Sequence, residues 1–167
     1  MPGFEFIGKK ELNEIKHIFK NGSVLFRHGF EGLRKNVYKV RKFENDFKKK
    51  FGSKFSLAVT SGTSALRVAL EVLNLKKNDE VITQSFTFVA TVEAIIESGA
   101  KPVCTNIDKT LNMDPSDLEK KITQNTKAVI VVHMLGTPAR LDKIKKICKK
   151  RKLILIEDTA WGCGGKY

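Results

Sequence analysis

Residues 127–132, Lys-Ala-Val-Ile-Val-Val, form a short apolar run rich in β-branched side chains, which predicts a buried strand. A helical pattern over residues 139–150 and a second apolar run over residues 153–157 follow directly. The same alternation reaches back to residue 55. It predicts further strands at residues 55–59, 80–83 and 102–106, and further helices at residues 63–73, at residues 88–97 and from Asp114 onward.

The order of these elements decides the fold class. Strands that alternate with helices, several of them apolar on both faces, are typical of parallel sheets covered on both sides. Asp114 and Pro115 support one of the helices, because an N-cap aspartate followed by proline suits a first helical turn. The sequence therefore predicts an α/β fold, with a mostly parallel sheet and helices on both faces.

The first third of the chain has a different pattern. Two amphipathic helices are predicted at residues 10–20 and 42–51, separated by residues 23–40, which show no period and predict a loop. The sequence thus divides into an N-terminal helical segment and loop, residues 1–54, and an α/β domain, residues 55–167.

Charge and cysteine content limit the function classes. The net charge is +13, from 25 lysines and six arginines against 18 acidic residues. Most lysine runs lie within helical patterns, which favours solvated helix faces and leaves nucleic-acid binding as the weaker alternative. Three cysteines without CxxC spacing, and three histidines apart from them, predict no metal site and no disulfide framework. A reducing cytoplasm fits this content, and no apolar run is long enough to span a membrane.

The segment Ser61-Gly62-Thr63-Ser64 follows a predicted strand and opens a predicted helix. The free N–H groups of a first helical turn, the helix dipole and nearby hydroxyls together make a phosphate-binding site. The simpler alternative is a plain N-cap, where serine and threonine are common. The segment is not a Walker motif, since no Gly-Lys-Ser/Thr follows at the required spacing.

Asp158 follows the apolar run Leu153-Ile154-Leu155-Ile156. Ligands in open α/β sheets bind beyond the carboxyl ends of the strands. A carboxylate there can keep the ring nitrogen of pyridoxal phosphate protonated, although it can equally bind a metal or cap a turn.

Other candidates lie near predicted strand ends. Phe86 or Phe88 offers a flat wall for an aromatic ring, or else packs in the core. His133 follows the strand at residues 127–132 and is either a general base or a structural residue. Trp161 and Cys163 follow Asp158 and are placed to line the site, but nothing in the sequence supports Cys163 as a nucleophile.

Taken together, these segments resemble one family over nearly the whole chain. The chain is similar to the DegT/DnrJ/EryC1/StrS sugar aminotransferases, which are pyridoxal-phosphate enzymes of fold type I. The segments that carry the resemblance are Ser61-Gly62-Thr63-Ser64-Ala65-Leu66, Asp79-Glu80-Val81-Ile82, Ser85-Phe86-Thr87-Phe88-Val89-Ala90-Thr91, Gly99-Ala100-Lys101-Pro102-Val103, Leu111-Asn112-Met113-Asp114-Pro115, Thr126-Lys127-Ala128, Val132-His133, Gly136-Thr137-Pro138-Ala139 and Glu157-Asp158.

The resemblance implies transfer of an amino group from an amino acid, usually glutamate, to a nucleotide-linked keto-sugar in surface-polysaccharide or related pathways, including lipopolysaccharide. It implies that Thr63 and Ser64 hold the phosphate of pyridoxal 5′-phosphate, Phe88 stacks on its ring and Asp158 pairs with the ring nitrogen. Where the family has Gln or His near the phenolic oxygen, this chain has Trp161, whose indole can only donate a hydrogen bond or pack.

The resemblance also sets expectations about the rest of the protein. It implies a homodimer and places the Schiff-base lysine beyond Tyr167. We therefore expect residues 55–167 to be part of the cofactor-binding large domain, and the chain alone to be inactive. Some relatives carry histidine in place of that lysine and act as dehydratases, which is the alternative activity.

Overall fold

The computed structural model describes residues 4–165, which divide between Ala58 and Val59 into two compact units. The ends of the two predicted segments, residues 1–3 and 166–167, lie outside the described residues. The first unit contains helices α1 (Lys9–Lys20) and α2 (Lys39–Phe51). The second contains α3 (Gly62–Glu71), β1 (Glu80–Gln84), α4 (Val89–Glu97), β2 (Lys101–Thr105), α5 (Pro115–Lys121), β3 (Thr126–Val132), α6 (Leu141–Arg151) and β4 (Ile154–Asp158).

The strands of the second unit form one sheet. Within residues 4–165 it has four strands in the order β2-β1-β3-β4, and every neighbouring pair is parallel. The register pairs Val129 with Leu155 and Val132 with Asp158. This confirms the predicted α/β fold with a parallel sheet, and these four strands begin and end within two residues of the predicted positions.

Helices cover both faces of the sheet. Ala128, Ile130 and Val132 of β3 are buried in a cluster with side chains from α3 and α4. Val129 and Val131, which alternate with them, are buried in a second cluster with side chains from α5 and α6. Successive strand residues point to opposite faces, so each cluster marks one side of the sheet. We refer to these sides as the α3/α4 face and the α5/α6 face.

The carboxyl ends of the parallel strands lie at one edge of the sheet. Helix α3 leads into the amino end of β1, so its own first turn lies at the opposite, carboxyl edge. Helix α4 begins at this edge too, because it follows the carboxyl end of β1. The same edge therefore holds the first turns of α3 and α4 and the last residues of β1, β3 and β4.

One predicted strand, at residues 55–59, is wrong. These residues have no strand conformation, and Phe55 and Leu57 are exposed. The backbone at Ala58 instead binds side chains: its N–H donates to Glu44 Oε1 at 2.8 Å, and its carbonyl accepts from Arg27 Nη1 at 3.1 Å. These bonds satisfy the N–H and the carbonyl of Ala58, which in a strand would pair with a neighbouring strand.

The first unit keeps its predicted helices. Phe43, Phe47 and Phe51 line one face of α2, with successive ring centroids 5.8 and 4.4 Å apart. The loop before α2 is organised by Arg34, a buried side chain whose Nε donates to the Gly29 carbonyl at 2.8 Å and whose guanidinium also reaches the Phe26 carbonyl.

Candidate functional site

The first turn of α3 presents hydrogen-bond donors to open space. Ser61 is the N-cap, and its Oγ accepts from the Ser64 N–H at 3.1 Å. Thr60 and Ser61 place their hydroxyls 3.2 and 3.0 Å from Ser64 Oγ. The N–H groups of Gly62 and Thr63, at the start of the helix, have no intrahelical acceptor. A Cβ added at Gly62 would meet no atom within 4 Å, so the space beside these donors is open.

Asp158 points to the same face as this turn. It pairs in register with Val132, whose side chain is buried in the cluster of the α3/α4 face. Asp158 Oδ1 accepts from the Ala160 N–H at 3.0 Å. Among residues 4–165, Oδ2 has no hydrogen-bond partner. A carboxylate acceptor and a cluster of donors thus share one edge and one face of the sheet.

Phe88 completes this arrangement as the N-cap residue of α4, on the same face. Phe88 is 66% exposed and Phe86 is 39% exposed, so neither ring is buried in the core of the described residues. Trp161, three residues after Asp158, is 58% exposed. An exposed ring at a helix start offers a flat apolar surface to a ligand beside it.

His133 lies on the opposite face. It is buried, and its Nδ1 accepts from the Ala139 N–H at 3.0 Å, while its Nε2 lies 3.8 Å from Glu157 Oε2. Glu157 and Lys145 line a cleft of about 290 Å³ with it. His133 therefore does not join the group formed by Thr63, Ser64, Phe88 and Asp158.

The sequence analysis missed Gln84, a fully buried residue at the end of β1. Its Oε1 accepts from the N–H groups of Met113 and Val132 at 3.3 and 3.2 Å, and its Nε2 donates to the Phe86 carbonyl at 3.0 Å. Pairing between β1 and β3 ends at Ile82 and Val129, so the amide bridges the two strands where their own ladder stops. The only sequence signal for this bridging role is that Gln84 is a polar residue at the end of an apolar run.

Asn112 is a second buried amide at this edge, also missed. Its Oδ1 accepts from the Met134 N–H at 2.9 Å, and its Nδ2 donates to the carbonyls of Thr110 and Thr137 at 3.1 Å. These bonds hold the turn that follows β3. The local sequence does not predict this role, because Met134 and Thr137 lie 22 and 25 residues from Asn112.

Within residues 4–165, no group of three or more His, Cys, Asp or Glu side chains is placed to hold a metal ion. Cys163, in the loop after Asp158, is exposed, whereas Cys148 on α6 is buried. Burial raises the pKa of the Cys148 thiol to about 11.

No helix in the described residues is long and apolar enough to cross a membrane.

The chain is similar to proteins of one known family. The sequence model of the DegT/DnrJ/EryC1/StrS aminotransferase family matches residues 13–167. The chain belongs to this family. Among curated relatives, an uncharacterised protein of Methanocaldococcus jannaschii is 39% identical over 162 residues, which are 96% of this chain and 39% of the relative. GDP-perosamine synthase of Escherichia coli O157:H7 is 40% identical over 129 residues, 77% of this chain and 35% of the enzyme.

Solved structures of similar proteins cover both units. An aminotransferase from Psychrobacter cryohalolentis superposes with a TM-score of 0.85 at 30% identity, covering 99% of this chain and 40% of that one. A GDP-4-keto-6-deoxymannose-3-dehydratase superposes with a TM-score of 0.80 at 31% identity, covering 94% and 40%. The chain therefore spans about two fifths of the length of these DegT/DnrJ/EryC1/StrS relatives.

Proposed function

We propose that this chain forms the cofactor-binding part of a pyridoxal-phosphate-dependent sugar aminotransferase. The enzyme would move an amino group from an amino acid, glutamate by the family resemblance, to a nucleotide-linked keto-sugar. The observation that carries the proposal is the shared position of Asp158 and the first turn of α3, at one edge and on one face of the sheet. Family membership supports the same reaction class.

The residues at this edge fit pyridoxal phosphate. The first turn of α3 offers the Thr63 and Ser64 hydroxyls and free N–H groups to a phosphate, and the space beside Gly62 is open. Asp158 Oδ2, which has no hydrogen-bond partner among residues 4–165, can accept a hydrogen bond from a protonated ring nitrogen. When bound, this cofactor supplies an electron sink for bonds at the amino-bearing carbon.

Each side chain has a stated task in this proposal. Thr63 and Ser64 bind the phosphate, Asp158 holds a proton on the ring nitrogen, and Phe88 covers one ring face and excludes water from it. Trp161 contacts the phenolic oxygen by donating its indole N–H or by packing, since an indole nitrogen accepts no hydrogen bond. We assign the Schiff-base role to none of the lysines of this chain.

The wider setting follows from the family resemblance and is part of the proposal. The whole enzyme would act as a cytoplasmic homodimer, use a nucleotide-sugar and an amino-acid donor, and feed lipopolysaccharide or related sugar synthesis. A dehydratase reaction on the same cofactor is the second candidate, favoured by the likeness to the GDP-4-keto-6-deoxymannose-3-dehydratase. Nucleic-acid binding is the least supported reading, although the lysines of α6 lie on its exposed side.

The direct test is calorimetric titration of the chain with pyridoxamine 5′-phosphate. This form lacks the aldehyde, which would otherwise react with the 25 lysines. Asp158→Asn should weaken binding on the order of tenfold or more, the effect of losing a charge-assisted hydrogen bond. Glu119→Gln, which alters an exposed carboxylate paired with Lys150, is the control. Absence of binding, or equal affinity in the Asp158 variant, would contradict the proposal, and steeply salt-dependent polynucleotide binding would favour the nucleic-acid alternative.

A further inference from the structure

Glu157 occupies the position before Asp158 on β4 and points to the other side of the sheet. It pairs in register with Val131, which is buried in the cluster of the α5/α6 face, whereas Asp158 pairs with Val132 on the α3/α4 face. The two neighbouring carboxylates therefore lie on opposite faces of the same strand end. An interaction that holds the Glu157 side chain therefore also restricts the rotation of the strand end that orients Asp158.

The Glu157 carboxylate lies between two basic side chains. Its Oε1 is 3.4 Å from Lys145 Nζ on α6, and its Oε2 is 3.8 Å from His133 Nε2. The imidazole is itself held, because its Nδ1 accepts from the Ala139 N–H at 3.0 Å. That bond places the proton of the neutral ring on Nε2, which faces Glu157. Each carboxylate oxygen of Glu157 therefore lies near one nitrogen, Oε1 near the charged Lys145 Nζ and Oε2 near the N–H of His133 Nε2.

His133 also contacts the backbone of Asp158 directly. The backbone N–H of His133 donates to the Asp158 carbonyl at 3.1 Å, and this bond continues the ladder between β3 and β4 by one residue. Strands in a sheet are twisted, so an anchor on the α5/α6 face limits the rotation of this strand end.

We propose that Glu157 is a positioning residue for Asp158. Held by Lys145 and His133 on the α5/α6 face, it fixes the end of β4 so that the Asp158 carboxylate is presented to the ring nitrogen of the cofactor. This inference rests on the proposed function. It concerns the orientation of Asp158 and predicts an effect that depends on the ring nitrogen of the ligand.

The test compares two ligands by calorimetry. One is pyridoxamine 5′-phosphate, and the other is its 1-deaza analogue, in which a C–H group replaces the ring nitrogen. Glu157→Ala should weaken binding of the first ligand roughly fivefold to tenfold, as expected when a charge-assisted hydrogen bond is misaligned but not removed. Binding of the deaza analogue, which makes no such bond, should change less than about twofold on the same argument.

Two further variants sharpen the comparison. Glu157→Gln keeps an oxygen toward His133 and removes the charge that attracts Lys145, so it should give an intermediate loss for the nitrogen-containing ligand alone. Glu119→Gln alters an ion pair with the same 3.4 Å separation, between Glu119 and Lys150, and should change neither affinity. Equal losses for both ligands in Glu157→Ala, or no loss for either, would overturn the inference. Failure of the unsubstituted chain to bind pyridoxamine 5′-phosphate would instead overturn the proposed function.

Discussion

Gln84 Oε1 accepts a hydrogen bond from the backbone N–H of Val132 at 3.2 Å, at the point where β1 and β3 cease to pair. The same oxygen accepts from the Met113 N–H at 3.3 Å. A side-chain amide therefore takes the place of a ladder bond between two diverging strands. The buried amide therefore ties the end of β3 to β1 at the carboxyl edge of the sheet, the edge at which the candidate site lies.

The first prediction concerns this amide. Gln84→Leu leaves the N–H groups of Met113 and Val132 buried without an acceptor, and should lower the free energy of unfolding by roughly 2–4 kcal/mol. Gln124→Leu, at an exposed position outside the strands, is the matched control and should change it by less than about 0.5 kcal/mol. Urea denaturation followed by circular dichroism measures both values. Equal stability of the two variants would show that Gln84 does not bridge the strands.

The second prediction concerns the segment wrongly predicted as a strand. Glu44→Gln weakens the pair with Arg27 and the bond from the Ala58 N–H, so residues 55–59 should lose their fixed conformation. We expect faster amide exchange at Ala58 and a loss of roughly 1–3 kcal/mol, typical of a charge-assisted bond. Asp46→Asn, which alters the exposed pair with Lys42, should leave exchange at Ala58 unchanged. Hydrogen exchange measured by NMR distinguishes these outcomes.

The elements of the sheet could be predicted because their signals are local. The run at residues 127–132 is apolar on both faces, as a central parallel strand requires, and its bounds differ from β3 by one residue. Residues 55–59 have equally good strand composition. Their conformation depends on Arg27 and Glu44, which lie 31 and 14 residues from Ala58, and composition does not record such contacts.

The candidate site likewise has some features that the local sequence predicts and others that depend on distant contacts. Thr63, Ser64 and Asp158 could be proposed from the sequence because a hydroxyl-rich turn before a helix and a carboxylate at a strand end are local features. The opposite orientations of Asp158 and His133 depend on the register between β3 and β4, which the sequence does not state. Asn112 lies in an irregular segment, and its bond to Met134 spans 22 residues.

The third prediction concerns thiol reactivity and alkaline stability. Cys104 and Cys163 are exposed and should react with a disulfide reagent at pH 8, whereas Cys148 should react only after unfolding. Burial raises the pKa of Cys148 from 9.0 to about 11, so the unfolded state loses its proton first. Its contribution to stability is therefore complete below pH 9 and is lost as the pH rises to about 11.

Cys148→Ala provides the test of this linkage. The variant lacks the thiol, so its free energy of unfolding should fall less steeply between pH 9 and about 11 than that of the unsubstituted chain. Cys104→Ala, at an exposed position, should keep the original slope. Rapid labelling of all three thiols in the folded chain, or identical slopes in the two variants, would contradict the assigned burial of Cys148.

The fourth prediction separates cofactor binding from folding. The Cβ of Gly62→Ala meets no protein atom within 4 Å, and a helical Cβ points toward the amino end of its helix, where the phosphate is proposed to lie. Alanine is also the better helix former, so the melting temperature should stay equal or rise. Affinity for pyridoxamine 5′-phosphate should nevertheless fall on the order of tenfold, because the methyl group displaces the phosphate from the free N–H groups.

Gly32→Ala is the matched control for this substitution. A Cβ at Gly32 likewise meets no atom within 4 Å, and the residue lies in the loop of the first unit, away from the α3 turn in sequence. It should alter neither the melting temperature nor the affinity. A Gly62→Ala chain that binds as tightly as the original would place the phosphate elsewhere. Loss of both stability and affinity in Gly62→Ala would show that the added methyl group contacts protein atoms. The space beside Gly62 would then not be open, and Gly62 would be needed for the fold.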